Sequence, residues 1–284
     1  MMKKKVMKWL VILFAALAFI LWIAWGNTAL ETTRIQIVSE RIPTSFDGWR
    51  IAQVSDLHNG EFGEENENLL MLLRAEQPDM IALTGDLVDS IHTDMDRAVK
   101  FAEEAVQIAP CYFVTGNHEA RLEEQYEELE RRLEAVGVTV LRDEAVTLDR
   151  EGGVIQLIGL DDPRFEEQDE ELKDSLAYFE EKLSAMELAD GYRILLSHRP
   201  ETFDAYVNQQ IDLVLTGHAH GGQFRLPVVG GLIAPNQGLF PKYDAGLYVE
   251  GRTNMIVSRG LGNSVFPFRV NNRPEVVIVT LCVP

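Results

Sequence analysis

The chain has 284 residues, of which 46% are hydrophobic, so it carries enough apolar sequence for a large folded domain and is not a disordered chain. Its 45 acidic residues outnumber its 26 basic ones, which gives a formal net charge of −19. A surface this acidic repels phosphate backbones, so we expect no nucleic-acid partner.

The first thirty residues differ in composition from the rest. Four lysines among the first eight residues precede an uncharged apolar run over residues 9–25. As a helix this run spans roughly 25 Å, at the short end of what crosses a bilayer. The basic residues before it predict an N-in orientation. We therefore expect residues 1–30 to be a cytoplasmic basic tip and a transmembrane signal anchor, and residues 31–284 to be an extracytoplasmic domain of a single-pass cell-membrane protein.

A cleaved signal peptide is the alternative interpretation of this segment. The apolar run exceeds the roughly 7–15 residues of a typical signal-peptide core. In addition, Ala24-Trp25-Gly26 is a poor small-x-small cleavage site. We favour the uncleaved anchor and leave cleavage open.

Five short apolar runs recur beyond the anchor, and each stops at Ser or Thr: RIAQVS, MIALT, CYFVT, RILLS and DLVLT. Helical patterns over residues 64–76, 95–108, 121–136 and 168–186 separate several of these runs. Alternating strands and helices predict a sheet with parallel segments and helices outside it. In such sheets, ligands bind beyond the carboxyl ends of the strands.

Further strands are predicted outside this alternation. Residues 33–38 alternate as a first strand, and residues 146–160 read as a hairpin that turns at Glu151-Gly152-Gly153. We expect the hairpin and two C-terminal strands, 254–258 and 275–281, to form a second, partly antiparallel sheet. Two cysteines, Cys111 and Cys282, make neither a disulfide framework nor a metal site, and their pairing is left open.

Histidines and carboxylates are concentrated directly after the five strands. Five of the six histidines follow strand ends, and only His92 lies outside. The residues in these positions are His58, His118, His198, His218 and His220, with Asp56, Asp86, Asp89 and Asn117. Carboxylates and imidazoles without a thiolate suit Mn²⁺, Zn²⁺ or Fe²⁺. They exceed the roughly four ligands of a single zinc site, so we expect two divalent ions.

The order of these blocks resembles a known family. Asp56-x-His58, GDLVD from Gly85, GNHE from Gly116, His198, and GHAH from Gly217 are similar to the five blocks of the calcineurin-like metallophosphoesterase superfamily. The resemblance extends from about residue 45 to the C terminus. It implies an α/β fold in which helices flank a two-sheet sandwich (αββα), behind the N-terminal transmembrane helix. It also implies hydrolysis of P–O bonds by metal-bound hydroxide.

The resemblance implies a role for each side chain. One metal would be bound by Asp56, His58 and His220, the other by Asn117, His198 and His218, and Asp86 would bridge the two. His118 would contact the phosphate and protonate the leaving oxygen, while Asp89 would hold and polarise its ring. Glu119 would support this loop.

The sequence restricts the class of substrate but does not identify one substrate. Ser90 stands where the phosphoprotein phosphatases of this superfamily carry a phosphate-gripping arginine, which favours phosphodiesters or small phosphoesters. FDGWRIAQVSDLHNG, GHAHGGQ, APNQGLFPKY and SRGLGNS are similar to bacterial membrane-associated phosphodiesterases, a branch with enzymes resembling UDP-diacylglucosamine pyrophosphohydrolases. A lipid-linked or nucleotide pyrophosphatase is therefore the alternative, although an N-in topology argues against cytoplasmic UDP-sugars. A non-catalytic scaffold is disfavoured, because no predicted ligand is missing.

The segment 226–248 follows the last block and is rich in proline, glycine and aromatic residues. Two interpretations stand side by side: an apolar wall for a lipid-bearing substrate, and a cover over the second sheet. Asn236, Arg259 and Asn263 are polar residues that we consider for the site. Nothing in the pattern indicates an oligomeric state.

Overall fold

The described part of this computed structural model comprises residues 2–166, 175–263 and 266–284. Its α-helices are α1 Met2–Thr28, α2 Glu67–Glu76, α3 Met95–Ala105, α4 Asn117–Ala120, α5 Gln125–Ala135, α6 Ser175–Ala185 and α7 Phe203–Asn208. Its strands are β1 Glu31–Val38, β2 Arg50–Val54, β3 Met80–Thr84, β4 Cys111–Val114, β5 Thr139–Val140, β6 Glu144–Arg150, β7 Gly153–Gly159, β8 Tyr192–Leu196, β9 Leu213–Thr216, β10 Arg225–Leu226, β11 Gly230–Gly231, β12 Ile233–Ala234, β13 Gly238–Leu239, β14 Gly246–Glu250, β15 Thr253–Val257 and β16 Glu275–Cys282.

Helix α1 is apolar on all sides over residues 9–25 and meets the rest of the chain at its C-terminal end. Its stretch Lys4–Thr28 has a mean hydropathy of 2.5, and the most apolar part of that stretch is unburied. A helix that is hydrophobic all round is stable only inside a large core or in lipid. Because α1 is not covered by protein, it is suited by length and composition to span a membrane.

The first sheet has the strand order β1-β16-β2-β3-β4-β5. Strands β2 to β5 are parallel, and β16 runs parallel to β1 but antiparallel to β2. The C-terminal strand therefore belongs here, and our expectation that it joins the second sheet was wrong. A buried apolar strand such as β16 fits the interior of either sheet, so its pattern does not identify its neighbours.

The second sheet has the order β14-β15-β9-β8-β7-β6, with four parallel central strands and an antiparallel strand at each edge. It contains the predicted hairpin as β6 and β7. The two residues of the hairpin turn, Glu151 and Gly152, both have positive φ, at 50° and 81°. That conformation matches the right-handed twist of the strands on either side of the turn.

Three apolar clusters fill the spaces between four layers. One lies between α2, α3 and α5 and the outer face of the first sheet. A second lies between the two sheets, and a third lies between the second sheet and α6 and α7. Strand β2 illustrates the arrangement: Ile51 faces the other sheet, while its neighbours Ala52 and Val54 face the helices. The predicted αββα sandwich is confirmed.

The predicted helices differ from the observed ones mainly at their ends. The segment predicted over residues 121–136 begins four residues later, at Gln125, and the segment predicted over 95–108 ends at Ala105. Part of the prediction over 168–186 lies outside the described residues, and helix α6 occupies Ser175–Ala185. Cys111 is buried and Cys282 is half-buried, and both are free thiols.

The two sheets approach closely at Gly159, the last residue of β7. A Cβ atom there would lie 2.2 Å from Cβ of Leu141 and 2.9 Å from Cγ1 of Val114. We expect Gly159→Val to lower the free energy of unfolding by about 1–3 kcal/mol, because the added atoms have no space between the sheets. Urea unfolding of the detergent-solubilised chain measures the change. Val154→Ala, at an exposed position on the same strand, is the control and should stay within about 0.5 kcal/mol of wild type.

Candidate metal centre

The loops after β2, β3, β4, β8 and β9 converge at one edge of the sandwich. The backbone N–H of Asp56 donates to Gly85 O at 3.0 Å, and that of His58 donates to Asp86 O at 3.0 Å. The N–H of His118 donates to Oδ1 of Asp86 at 2.8 Å, and the N–H of His218 donates to the Asp56 carboxylate at 3.1 and 3.2 Å. The backbones of two blocks are therefore bonded to each other, and the His118 and His218 blocks position the carboxylates of Asp86 and Asp56.

Asp86 lies at the centre of the resulting cluster. Its Oδ2 is 3.1 Å from Nε2 of His198 and 3.5 Å from Nε2 of His58. These two histidines belong to different predicted metal sites. A carboxylate oxygen that faces both is arranged as a bridging ligand would be.

His58 and His220 face each other through their Nε2 atoms, 3.2 Å apart. Oδ1 of Asp56 is 3.3 Å from the same nitrogen of His220. Two ligand atoms about 2.0–2.1 Å from a tetrahedral ion lie roughly 3.3 Å from each other. The spacing of these three side chains therefore fits a shared divalent ion.

Two further predicted ligands present buried atoms to the cluster: Oδ1 of Asn117 lacks a hydrogen-bond partner among the described residues, and Nε2 of His198 faces the Asp86 carboxylate at 3.1 Å. Nδ1 of His198 is 2.8 Å from the carbonyl of Thr84, which only accepts, so Nδ1 keeps its proton and Nε2 is the atom that can bind a metal once its own proton has left. A buried acceptor without a partner is costly in a folded protein. The carboxylate and imidazole groups of the cluster, together with the unpaired Oδ1 of Asn117, fit divalent metal ions.

Several predicted ligands adopt a backbone conformation that is unusual for residues other than glycine. Positive φ angles of 46–64° occur at Asp56, His58, Asp86, His218 and His220. Such positions cost on the order of 1–3 kcal/mol each and tend to occur at functional sites. The adjoining glycines are needed for a related reason: a Cβ at Gly116 would lie 2.3 Å from the Asp86 carboxylate, and one at Gly217 would lie 2.4 Å from that of Asp56.

His218 is held by two residues outside the predicted ligand set. Its Nε2 is 3.0 Å from Oδ1 of Asn236 and 3.0 Å from Nη1 of Arg199, which also donates to Oδ1 of Asn236 at 3.1 Å. Arginine only donates, so Nη1 of Arg199 does not bond to a protonated Nε2; both groups instead donate to Oδ1 of Asn236. His218 then carries its proton on Nε2 and keeps the lone pair on Nδ1 for a metal. Arg199 is itself fixed by paired hydrogen bonds to Asp162.

Burial and charge set the protonation states of the cluster. Burial lowers the pKa of His58 to about 3, and it lowers those of His218 and His220 well below the usual value. Burial acts in the same direction on His198, but the charge of Asp86 outweighs it and raises the pKa to about 10. Three imidazoles are therefore already neutral, as metal ligation requires, and a metal would displace the proton of the fourth.

Glu119 holds two of the blocks together, as the sequence indicated. Its buried carboxylate accepts from the N–H groups of Asp86, Val88 and Gly116, at 2.8, 3.2 and 2.8 Å. Burial raises its pKa to about 7. It faces the backbone of the loops and has the supporting position that we expected.

His118 lies beside the cluster, with its ring 4.4 Å from that of His58, centroid to centroid. Its Nδ1 accepts from the backbone N–H of Ser90 at 3.0 Å, and the hydroxyl of Ser90 is 3.1 Å away. The hydrogen bond that we expected from Asp89 is thus occupied by Ser90. Oδ1 of Asp89 accepts instead from the N–H groups of Ile91 and His92, at 2.7 and 2.9 Å.

A cleft of about 660 Å³ opens over the cluster. Arg121 and Arg164 line it together with Asn236 and Asn263, so positive charge is present although Ser90 replaces the expected arginine. Neither arginine belongs to a recognisable motif, and only folding brings them to the site. Arg259 lies elsewhere, paired with Glu275 at 2.7 Å.

A second cavity, of about 470 Å³, adjoins the cleft. The two share His220, Pro235 and Asn236, and the rest of the second cavity is lined by Gln223, Ile233, Ala234, Gly238 and Phe266. Part of the segment 226–248 therefore borders the site as an apolar wall. Tyr243 of the same segment is buried against the second sheet, so the segment also covers part of that sheet.

Comparisons with known proteins agree with this geometry. The family model described as Calcineurin-like phosphoesterase matches residues 50–222. The chain is 31% identical to the uncharacterized metallophosphoesterase YkuE of Bacillus subtilis, over 89% of this chain and 85% of that protein. It is 28% identical to the phosphodiesterase YaeI of Escherichia coli, over 82% of each chain. The fold matches TT1561 of Thermus thermophilus with a TM-score of 0.51 at 16% identity, covering 75% of this chain and 90% of that one.

We expect Asn236→Leu to weaken metal binding by roughly 10–100-fold, because His218 loses the acceptor that orients its ring. The measurement is metal content after dialysis against a competing chelator. Asn263→Ala is the matched control, since Asn263 lines the same cleft but its amide bonds to Pro267 O. Equal metal retention in both variants would show that His218 needs no such partner.

Proposed function

Because the chain belongs to the calcineurin-like phosphoesterase family and is a metal-dependent phosphoester hydrolase, we propose that it is a membrane-anchored dinuclear phosphodiesterase. The observation that carries the proposal is the Asp86 carboxylate, which faces His58 and His198 at once. In the proposal Asp56, His58 and His220 bind one ion, Asn117, His198 and His218 bind the other, and Asp86 binds both. Mn²⁺, Zn²⁺ and Fe²⁺ suit these ligands.

Two ions held there would neutralise charge on the phosphoryl oxygens and acidify a water molecule. The protein contributes the remaining positioning. Arg121 and Arg164 in the cleft are suited to attract and orient an anionic substrate. Their positive charge lies inside a domain that is otherwise strongly acidic, so the cleft differs in charge from the surface around it.

His118 is the proposed acid for the leaving oxygen. Since its Nδ1 accepts from Ser90, the neutral ring carries its proton on Nε2, which is free to donate. Burial lowers the pKa of His118, and the charges of Asp86 and Asp89 oppose that shift. Asp89 keeps a place in the proposal as this nearby charge, because its carboxylate lies within 4.8 Å of the His118 ring nitrogen.

A lipid-linked pyrophosphatase is the second candidate. The observation that favours it is the apolar cavity beside His220, which has room for part of an acyl chain. A nucleotide substrate has no comparable apolar group. Phosphodiesters and pyrophosphates both require a cut at a P–O bond, so the same metal ligands and the same histidine serve either substrate.

We also propose how the chain divides into an anchor and a domain, and on which side of the membrane the domain lies. Residues 1–30 form the basic tip and anchor, residues 31–284 form the catalytic domain, and the domain lies outside the cytoplasm. The basic residues before α1 support this orientation through the positive-inside rule.

His118→Ala should reduce turnover of bis-p-nitrophenyl phosphate by about 10²–10⁴-fold while metal content stays near the wild-type value. The loss follows from removal of the proton donor, since His118 is not a proposed metal ligand. His92→Ala is the matched control, because the ring of His92 lines the same cleft but is exposed and lies outside the metal cluster. Full activity of His118→Ala would contradict the role of this residue, and activity confined to phosphomonoesters would contradict a phosphodiesterase.

The sidedness is tested with reporters fused to the C terminus. We expect alkaline phosphatase, which is active only outside the cytoplasm, to be active in this fusion, and green fluorescent protein to be dark. The N-terminal lysines are the physical cause, so moving them to the other end of α1 should reverse both signals. A fluorescent fusion of the unchanged chain would mean that the domain is cytoplasmic.

A further inference from the structure

Six large apolar side chains are exposed on three neighbouring loops. Val228 and Val229 form the tip between β10 and β11, Leu239 ends β13 and Phe240 follows it, and Phe266 and Phe268 precede β16. We call these six residues the apolar rim. Their exposed fractions run from 40% for Phe266 to full exposure for Val228. An exposed apolar group of this size on a folded domain marks an interaction surface.

The three loops of the rim are held to one another. The ring of Phe224 contacts the rings of Phe266 and Phe268, with centroids 5.2 and 5.6 Å apart. Gln223 donates to the carbonyls of both phenylalanines, at 3.1 and 2.9 Å. Phe240 N–H donates to Leu232 O at 2.9 Å, and Leu232 N–H donates to Phe224 O at 2.8 Å, which links the residues after β13 to the residues before β10. The rim is therefore built on fixed backbone.

The rim begins where the membrane helix joins the domain. The side chain of Asn27, near the end of α1, accepts from the N–H of Arg269 at 2.7 Å and donates to its carbonyl at 3.0 Å. Arg269 directly follows Phe268 in the chain. Arg273 stacks on Trp25 at 4.9 Å and donates to Ala29 O at 2.9 Å. These contacts fix the rim beside the outer end of α1.

The rim residues lie only a short distance from the junction between α1 and the domain. Asn271 donates to Arg225 O at 3.3 Å, so the start of the β10–β11 loop lies next to the helix junction. Val228 is three residues further on, about 10 Å along an extended chain. Only two residues separate the end of α1 at Thr28 from the start of β1 at Glu31. With so short a connection, this side of the domain remains close to the surface of any membrane that α1 crosses.

The charge distribution agrees with contact between this side and an anionic surface. The chain has 45 acidic residues, yet residues 213–243 and 251–274 contain no Asp or Glu. All six rim residues lie in these two segments, together with six basic residues, of which Arg269 is buried and Arg225, Lys242, Arg252, Arg259 and Arg273 are exposed or half-buried. The acidic residues next to these segments are paired with arginine, Asp244 with Arg225 at 3.0 Å and Glu31 with Arg259 at 3.3 Å, so their repulsion of anionic lipids is offset locally.

We propose that the apolar rim inserts into the boundary between headgroups and acyl chains of the bilayer that α1 spans. The occupant of this surface is lipid. Phe266 belongs to the rim and also lines the apolar cavity beside His220, so insertion brings that cavity to the membrane surface. A substrate with an acyl chain then reaches the metal centre without leaving the bilayer. This inference rests on the membrane anchor of the proposed function but not on its chemistry.

The test places a fluorescent reporter on the rim of the full-length chain. Val228→Cys is labelled with a nitrobenzoxadiazole dye and reconstituted in vesicles of phosphatidylethanolamine and phosphatidylglycerol. Cys282→Ser removes the half-buried thiol, while Cys111 stays, because burial raises its pKa to about 12 and leaves it unreactive. The control is Met71→Cys, an exposed apolar position on α2.

We expect blue-shifted emission at position 228 and quenching by lipid-borne nitroxide at least threefold stronger than at position 71, with the order reversed for aqueous iodide. Phe240→Cys should behave like Val228→Cys. Water-like emission at both rim positions, with iodide quenching equal to that at position 71, would overturn the proposal. Turnover of bis-p-nitrophenyl phosphate is measured separately: its absence in the wild type would count against the proposed function, while the dye would still decide the contact with lipid.

Discussion

The structure depends on the buried carboxylate of Asp86 and the positive charge that it requires. One oxygen is held by the N–H of His118, and the other faces His58 and His198. Placing that carboxylate requires a left-handed residue at the end of β3, a glycine at position 116 beside it, and Glu119 to bind the loop backbone. These otherwise unfavourable features are explained together if divalent ions occupy the cluster.

Hydrogen bonds from neighbouring groups determine which nitrogen of several histidine rings carries the proton. Three of the five rings have one nitrogen positioned by a protein group, a carbonyl for His198, Asn236 for His218, and Ser90 for His118. In the first two cases the other nitrogen faces the cluster as a ligand. In the third, the acceptor is Nδ1 and the proton is on Nε2. The same residue type therefore serves as metal ligand or proton donor according to its hydrogen-bond partner.

The prediction from sequence succeeded where local pattern and chemistry coincide. Each apolar run that stops at Ser or Thr is a strand in the described structure, and the polar residues after these strands do meet. The prediction failed for β16, whose apolar pattern fits either sheet, and for the partner of His118. Ser90 takes that position because the turn formed by Asp89 aims the Ser90 N–H at the ring, a geometry that residue order does not encode.

Residue type and order were sufficient for the kind of fold, the long apolar helix near the N terminus and the cluster of candidate metal ligands, because these follow from periodicity and from the ligand chemistry of Asp, Asn and His. The residues that line the cleft and the apolar cavity could be identified only from long-range contacts. Arg121, Arg164 and Arg199 approach the cluster from separate loops, and Phe266 reaches both the cavity and the rim. Such positions are set by how the layers pack. No local pattern in the chain records which distant residues packing will bring together.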